Sequence, residues 1–187
     1  GGIHPFMYHF SNLTLHTLNA VLTSLIAYLL LKEKWSALFV GLLFAVHPLH
    51  TEAVEWASAR KDVLSTFFFL GSIVAYLYYV DASQHASKKK WYIGSLILFL
   101  LGLLSKVMII TLPVVLVLID ILRRRRWDRS MILEKIPYVA LAGLFGLIGL
   151  LGKVGVVQSS TLSAKILMAF KSTVFYLQSM VWPLKLS

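Results

Sequence analysis

Six runs of apolar residues follow one another along this chain of 187 residues and constrain its fold more than any other feature. An α-helix rises about 1.5 Å per residue, so about 20 residues cross a hydrocarbon core of about 30 Å. Shorter runs need flanking residues, a thinned bilayer or shielding by neighbouring helices. The six runs cover residues 13–31, 35–46, 63–80, 91–104, 108–122 and 136–151. With a further segment at 162–182, the pattern predicts an all-α, polytopic membrane helix bundle of about six to seven membrane helices.

The basic residues fall between these runs in a regular order. Eleven of the eighteen Lys and Arg residues lie in three stretches, at 32–34, 88–90 and 123–135. Two apolar runs separate each stretch from the next, so all three share one side of the membrane, which the positive-inside rule assigns to the cytoplasm. The net charge of +10 therefore indicates orientation, not nucleic acid as a partner. Binding of anionic lipid or RNA by the arginines at 123–126 is left open as the weaker interpretation.

This orientation places residues 4–12, 47–62 and the turn near 105–106 on the non-cytoplasmic side. The chain is thus predicted to be an integral, multi-pass membrane protein. It contains no cysteine, which excludes disulfides, thiolate metal sites and a cysteine nucleophile. Because it begins Gly1-Gly2-Ile3 without Met, we expect residues 1–187 to be part of one transmembrane domain truncated at both ends.

Four polar residues form a stripe along the first helix. His9, Asn12, His16 and Asn19 are three, four and three residues apart, which puts them on one helix face. Polar groups are costly in lipid, so this face should meet protein or a water-filled cavity. The stripe is predicted either to form interhelical hydrogen bonds or to line a substrate cavity. His9 and His16 are two turns apart, too far to hold one metal ion, and no metal site is predicted.

The richest group of ionisable residues lies at 47–62, on the outer side. Ionisable groups beside hydrocarbon indicate a functional site by default. If Pro48 begins a helix that continues to residue 61, three carboxylates share one side of it, and one of them could act as a general base with a raised pKa. Salt bridges to Arg60 and Lys61 are the alternative. The three carboxylates are Glu52, Glu55 and Asp62.

Three cations also lie on this outer side, which the positive-inside rule leaves poor in Lys and Arg. They are Arg60, Lys61 and Lys106, the last at the turn of a tight hairpin. A lipid-linked phosphate supplied from the membrane would be a suitable anion for them. Snorkelling of Lys106 to the interface is the alternative.

Long motifs in these regions resemble the transmembrane and tetratricopeptide-repeat-containing O-mannosyltransferases and their bacterial relatives. The motifs are YHFSNL at 8–13, LFAVHPLHTEAVEW at 43–56 and RKDVLS at 60–65. Weaker similarity continues through LSK at 104–106, TLP at 111–113, Asp120, Tyr176 and WP at 182–183. The resemblance extends over nearly the whole chain, and its middle motif is long and specific.

The resemblance implies a membrane glycosyltransferase of the GT-C type. Such an enzyme moves a mannose-like sugar from a polyprenyl- or dolichyl-phosphate donor to a Ser or Thr hydroxyl of a protein, on the non-cytoplasmic side. The donor is a substrate, no cofactor is certain, and a need for divalent metal is unknown. The membrane would be the inner membrane of a bacterium or the endoplasmic reticulum of a eukaryote.

The resemblance also implies where the site residues lie. The catalytic base is expected upstream of Gly1, which leaves Glu52 and Asp62 as weak candidates here and the fragment inactive alone. Tetratricopeptide repeats would follow Ser187, and Val107 replaces the residue that usually follows the hairpin lysine. Substrate binding is predicted for His47, His50, Glu52, Glu55, Arg60, Lys61 and Lys106.

Two other classes of function remain open from the residues alone. In a transporter or channel segment, the polar stripe and the carboxylates would form an ion or proton path. In a helical scaffold they would carry no chemistry. Inverted repeats or paired broken helices would favour transport, and neither is evident in this sequence.

Overall fold

A computed structural model describes residues 5–50, 54, 56, 59–152, 167, 168, 170–172, 174, 175 and 178. Within these residues six α-helices follow in order, with short 3-10 helices at Pro48–His50 and Val107–Thr111. The helices are α1 Pro5–Leu31, α2 Lys34–Val46, α3 Arg60–Asp81, α4 His85–Ser105, α5 Leu112–Leu122 and α6 Arg129–Leu151. The described part of the chain contains no strand, so the predicted all-α membrane bundle is confirmed.

Three of these helices are long and apolar enough to cross a membrane. They are residues Met7–Leu31 of α1, all of α3 and all of α6. The 13 residues of α2 reach only about 20 Å, α5 is shorter still, and α4 has three lysines among its first six residues. The segment at 162–182 lies largely outside the described residues, and those described within it are helical.

Small residues let α1 and α2 pack closely. A Cβ added at Gly41 of α2 would stand only 2.7 Å from the Cβ of Ser24 on α1. The Ser24 hydroxyl donates a hydrogen bond of 2.9 Å to the carbonyl of Ala37, crossing the same interface. Where apolar side chains gain nothing by leaving lipid, such close contacts and interhelical hydrogen bonds hold helices together.

A second polar contact joins α3, α4 and α6 in the centre of the bundle. Ser72 and Ser95 each donate to the backbone carbonyl of the other, at 2.8 and 2.9 Å. The hydroxyl of Tyr138 donates to the Ser95 hydroxyl at 2.9 Å. Fully buried side chains surround this contact, among them Tyr76, Leu77, Phe99, Leu103, Leu112 and Leu116. The core therefore lies between α3, α4, α5 and α6.

The basic stretches meet at one end of the bundle, called the inner end here. Asp81, at the end of α3, pairs with Lys32 at 3.7 Å and with Arg123 at 3.1 Å. Arg123 also donates to the carbonyl of Leu29 at the end of α1, at 2.9 Å. The other end, the outer end, carries Arg60 and Lys106. The helices thus pack with the basic stretches at one end of the bundle and Arg60 and Lys106 at the other, as the order of apolar runs and basic stretches predicts.

Candidate functional site

The outer end brings together the elements that the sequence singled out. The N-termini of α1 and α3, the C-termini of α2 and α4 and the 3-10 turn Pro48–His50 all lie there. The helix expected over residues 48–61 is not continuous among the described residues, where Pro48–His50 form a 3-10 turn, Val54 is helical and Arg60 begins α3. Trp56, between them, is not helical.

The polar stripe of α1 contacts this region. The buried Asn12 amide donates to the carbonyls of Val54 and Trp56, at 3.4 and 3.1 Å. The Trp56 carbonyl also accepts a hydrogen bond of 3.0 Å from the Ala59 amide, just before α3. Further along α1, the buried Asn19 amide donates to the carbonyl of Val63 at 3.0 Å. The two asparagines therefore hold Val54, Trp56 and α3 against α1. This is the interhelical hydrogen bonding that was one of the two interpretations of the stripe.

The two histidines of the stripe differ in position. His16 is buried, and its Nε2 lies 3.1 Å from the carbonyl oxygen of Ala45 on α2. His9 is exposed, two turns nearer the N-terminus of α1, and does not line the described cleft.

A cleft of about 240 Å³ opens beside His16. Its polar walls are His16, His47 and His50, with ring centroids 5.3 Å apart for His16 and His50 and 6.0 Å for His47 and His50. The Phe44 ring packs against His50 in a tilted arrangement, with the ring centroids 4.3 Å apart. The apolar walls of the cleft are Leu13, Ala45, Val46 and Val54. Among the described residues, no group of three or more acidic, His or Cys side chains could hold a metal ion.

Burial keeps the His50 ring of the cleft towards the neutral form. It lowers the pKa of His50 below its ordinary value of 6.5, and the neighbouring His16 and His47 lower it further. The Nδ1 of His47 accepts a hydrogen bond of 3.3 Å from the amide of Leu49, which orients that ring. Neutral imidazoles can both donate and accept hydrogen bonds, as binding of a sugar or a hydroxyl requires.

The three outer cations lie where the start of α3 meets the end of α4. The Arg60 guanidinium lies 5.0 Å from the centre of the Tyr8 ring and donates to the Ser11 hydroxyl, both on α1. Lys106, in extended backbone between α4 and the 3-10 turn, forms an ion pair with Asp62. The Ser105 hydroxyl donates to the carbonyl of Lys61 at 3.2 Å.

These contacts decide what the candidate carboxylates do. Asp62 pairs with Lys106, which follows the C-terminus of α4, and not with Arg60 or Lys61. Both side chains of the pair are about one third exposed, so a ligand can reach them. Glu52 and Glu55 lie outside the described residues, and their placement in the site stays a prediction.

An apolar groove of about 520 Å³ runs along α1 and α2. Ala45 belongs to the walls of both the groove and the histidine cleft. From there the groove extends past Ser24 and Gly41 to Lys34 at the inner end. Its length along the two helices suits an extended hydrocarbon chain more than a compact ligand.

A buried ionic network at the inner end was missed by sequence reasoning. The Asp120 carboxylate is fully buried and accepts from Lys135 at 2.5 Å, from Arg125 at 3.2 Å and from the Tyr76 hydroxyl at 2.8 and 2.9 Å. Glu134 accepts from Arg125 at 3.0 and 3.3 Å. The available signal was Asp120 itself, the lone charge inside an apolar run.

The turn after α5 directs Arg125 into this network. Arg124 has a left-handed backbone with φ of 52°, and the Arg125 amide donates to the Asp120 carbonyl at 3.0 Å, as in a Schellman cap. Burial opposes the charge of Arg125, but hydrogen bonds and attraction from Glu134 raise its pKa overall. Arg125 and Lys135 therefore act as internal ion-pair partners as well as orientation signals.

Comparison with known proteins agrees with these features. The Drosophila melanogaster protein O-mannosyl-transferase Tmtc2 is 34% identical over 125 residues, which cover 66% of this chain and 13% of that protein. Human protein O-mannosyl-transferase TMTC2 is 34% identical over 96 residues, 51% of this chain and 12% of that protein. Drosophila melanogaster Tmtc1 is 42% identical over 98 residues, 52% of this chain and 10% of that protein.

The chain thus spans between 10% and 13% of the length of these relatives. No solved structure gives a significant match. A family model described as dolichyl-phosphate-mannose-protein mannosyltransferase matches residues 9–152, which include the polar stripe, the outer cations and the inner network. The chain therefore belongs to the dolichyl-phosphate-mannose-protein mannosyltransferase family.

Proposed function

We propose that this chain is part of a membrane glycosyltransferase that moves a mannose-like sugar from a polyprenyl- or dolichyl-phosphate donor to a Ser or Thr hydroxyl of a protein. The observation that carries the proposal is that the three outer cations lie at the same end of the bundle as the histidine cleft, in a chain of this family. The reaction would take place at the outer end, on the non-cytoplasmic side. In a eukaryote this side is the lumen of the endoplasmic reticulum.

The cations have a specific task in such a reaction. A base removes the proton of the acceptor hydroxyl, its oxygen bonds to the anomeric carbon, and the bond from that carbon to the lipid phosphate breaks with inversion. Negative charge grows on the leaving phosphate. Arg60, Lys61 and Lys106 would stabilise this charge with charge-assisted hydrogen bonds.

Asp62 would keep Lys106 in place until the donor arrives. A Lys–Asp pair that is one third exposed is held less strongly than a buried pair, so the donor phosphate, which carries one negative charge on arrival and a second once its bond to the sugar breaks, can share the lysine with Asp62. Arg60 is oriented by Tyr8 and Ser11 without a carboxylate in these contacts, which leaves its charge available to the phosphate. The base is expected on a segment upstream of Gly1.

The cleft and the groove would hold the two ends of the donor. His47, His50, Glu52 and Glu55 would bind or shape the space for the sugar and the acceptor. The groove along α1 and α2 would take the polyprenyl chain, since it continues from the cleft at Ala45 and is almost entirely apolar. The family match to a transferase weighs against the alternative of a transporter segment.

The test is sugar transfer from a lipid-linked donor by the full-length enzyme in membranes. Lys106→Ala and Arg60→Ala should each lower kcat by roughly 10²-fold, the loss typical of removing one donor that stabilises transition-state charge. Lys89→Ala, on the inner side, is the matched control and should keep the parent rate. Turnover at the parent rate by both outer variants, with normal thermal stability, would show that these residues are only interfacial anchors.

A further inference from the structure

Each basic stretch at the inner end is followed directly by an exposed tryptophan. The three pairs are Lys34-Trp35, Lys90-Trp91 and Arg126-Trp127. The tryptophans are 78%, 40% and 65% exposed, respectively. Trp35 lies at the start of α2, Trp91 within the first turns of α4, and Trp127 between α5 and α6. The three tryptophans therefore lie on three different elements of the bundle. A tryptophan beside a cation at the end of a membrane helix is suited to the headgroup level of a bilayer.

The acidic residues described at this end are all engaged within the protein. Glu33 caps α2 through the amides of Trp35 and Ser36, and Asp128 caps α6 through the amide of Met131 at 2.8 Å. Asp81 pairs with Lys32 and Arg123. Asp120 and Glu134 belong to the buried network. None of these carboxylates faces the exposed cations as an ion-pair partner.

A set of exposed cations is therefore left without a carboxylate partner in the described part of the chain. The arginines at 123–126 show how the set arises, because Arg123 and Arg125 turn inward to carboxylates while Arg124 and Arg126 are exposed. The exposed cations of this end that form no ion pair are Lys34, Lys89, Lys90, Arg124, Arg126 and Arg129.

We propose that these cations and the three tryptophans form a binding surface for the headgroups of anionic phospholipids. Lys and Arg donate charge-assisted hydrogen bonds to lipid phosphates, and tryptophan rings pack at the level of the glycerol and carbonyl groups. The surface goes beyond the proposed transfer reaction, since it lies at the opposite end of the bundle from the outer cations. Lipid is favoured over RNA because the cations sit beside interfacial tryptophans at membrane-helix ends.

The experiment measures which lipid surrounds the inner tryptophans. The full chain, with Trp56→Phe and Trp182→Phe to remove the other tryptophans, is placed in phosphatidylcholine bilayers with an equal mole fraction of brominated phosphatidylglycerol or brominated phosphatidylcholine. Bromine quenches nearby tryptophan fluorescence. Quenching should be at least about twofold stronger with the anionic lipid, because one Lys or Arg near an anionic surface contributes roughly a fivefold preference. The preference should fall as salt is raised.

Two variants identify the source of the preference. The combined change to Gln of all six exposed cations, Lys34, Lys89, Lys90, Arg124, Arg126 and Arg129, should reduce the quenching ratio to about one, the value without charge attraction. Replacing Arg124 and Arg126 by Lys keeps the charge and should keep the ratio. Equal quenching by both lipids in the parent protein would overturn the proposal, and so would a Gln variant that keeps the preference. If the parent protein shows no lipid preference but binds a labelled RNA oligonucleotide, and the Gln variant loses this binding, the surface is assigned to RNA instead.

Discussion

The buried network at the inner end allows a quantitative prediction for Lys135→Met. Methionine keeps much of the volume of the side chain but removes the ammonium that donates to Asp120 at 2.5 Å. Because the Asp120 carboxylate is fully buried, it cannot recover this interaction from water. Breaking a buried ion pair by removing one partner costs about 3–5 kcal/mol. We expect about 3 kcal/mol, the lower value, since Arg125 and the Tyr76 hydroxyl still contact the carboxylate.

The measurement is thermal unfolding in a neutral detergent, followed by circular dichroism. For a chain of this size 1 kcal/mol corresponds to about 2–4 °C, so Lys135→Met should unfold about 6–12 °C below the parent protein. Lys89→Met removes the same charge from an exposed position and should change the stability by no more than about 0.5 kcal/mol. This control separates loss of the buried pair from loss of charge in general.

A double variant tests whether the cost comes from the pair. Asp120→Leu alone leaves the buried Lys135 without its carboxylate and should cost about 3–5 kcal/mol. Asp120→Leu combined with Lys135→Met removes both charges, while Arg125 keeps Glu134, and should cost no more than about 1–2 kcal/mol. The reasoning would be refuted if Lys135→Met changed the free energy of unfolding by less than about 0.5 kcal/mol. It would also be refuted if the double variant lost as much stability as the two single variants added together.

Three further predictions follow from other parts of the bundle. Cysteine introduced at Ser58 should react with an impermeant reagent added on the non-cytoplasmic side, and cysteine at Ala86 should not; equal labelling would contradict the topology. Gly41→Ala should destabilise by about 1–3 kcal/mol, because its Cβ would stand 2.7 Å from a side-chain carbon of α1, whereas Gly94→Ala has open space and should be neutral or slightly stabilising in the same assay. Lowering the pH below 6.5 should destabilise the protein, because the unfolded chain then protonates His50 while burial keeps its pKa lower in the folded state; a His50→Gln variant with the same pH slope would refute this.

Much of the candidate site was accessible from the order of residues. The apolar runs and the basic stretches predicted the helices and which ends lie together, and α1 to α6 follow that order. The long motif at 43–56 and the one at 60–65 indicated the family, which the match over residues 9–152 shows. The stripe on α1 was correctly placed on one face from Asn12 to Asn19, since helical periodicity alone decides it.

Pairing between side chains could not be predicted in the same way. Asp62 was grouped with the carboxylates of its own segment, yet its partner Lys106 is 44 residues away. Lys135 was assigned to orientation, yet it contacts Tyr76, 59 residues away. The helix expected over residues 48–61 is also interrupted at Trp56, whose carbonyl accepts from the Asn12 amide 44 residues away.

The sequence by itself therefore determined the membrane class, the helix order, the two chemically different ends and the family. Only the tertiary structure decided which cations turn inward to carboxylates and which remain exposed, as Arg125 and Arg126 illustrate. The physical reason is that membrane helices are apolar on nearly every face, so hydrophobicity does not specify how each helix is rotated. That rotation is set by contacts between small residues, such as Gly41 on Ser24, and by buried polar pairs between distant segments.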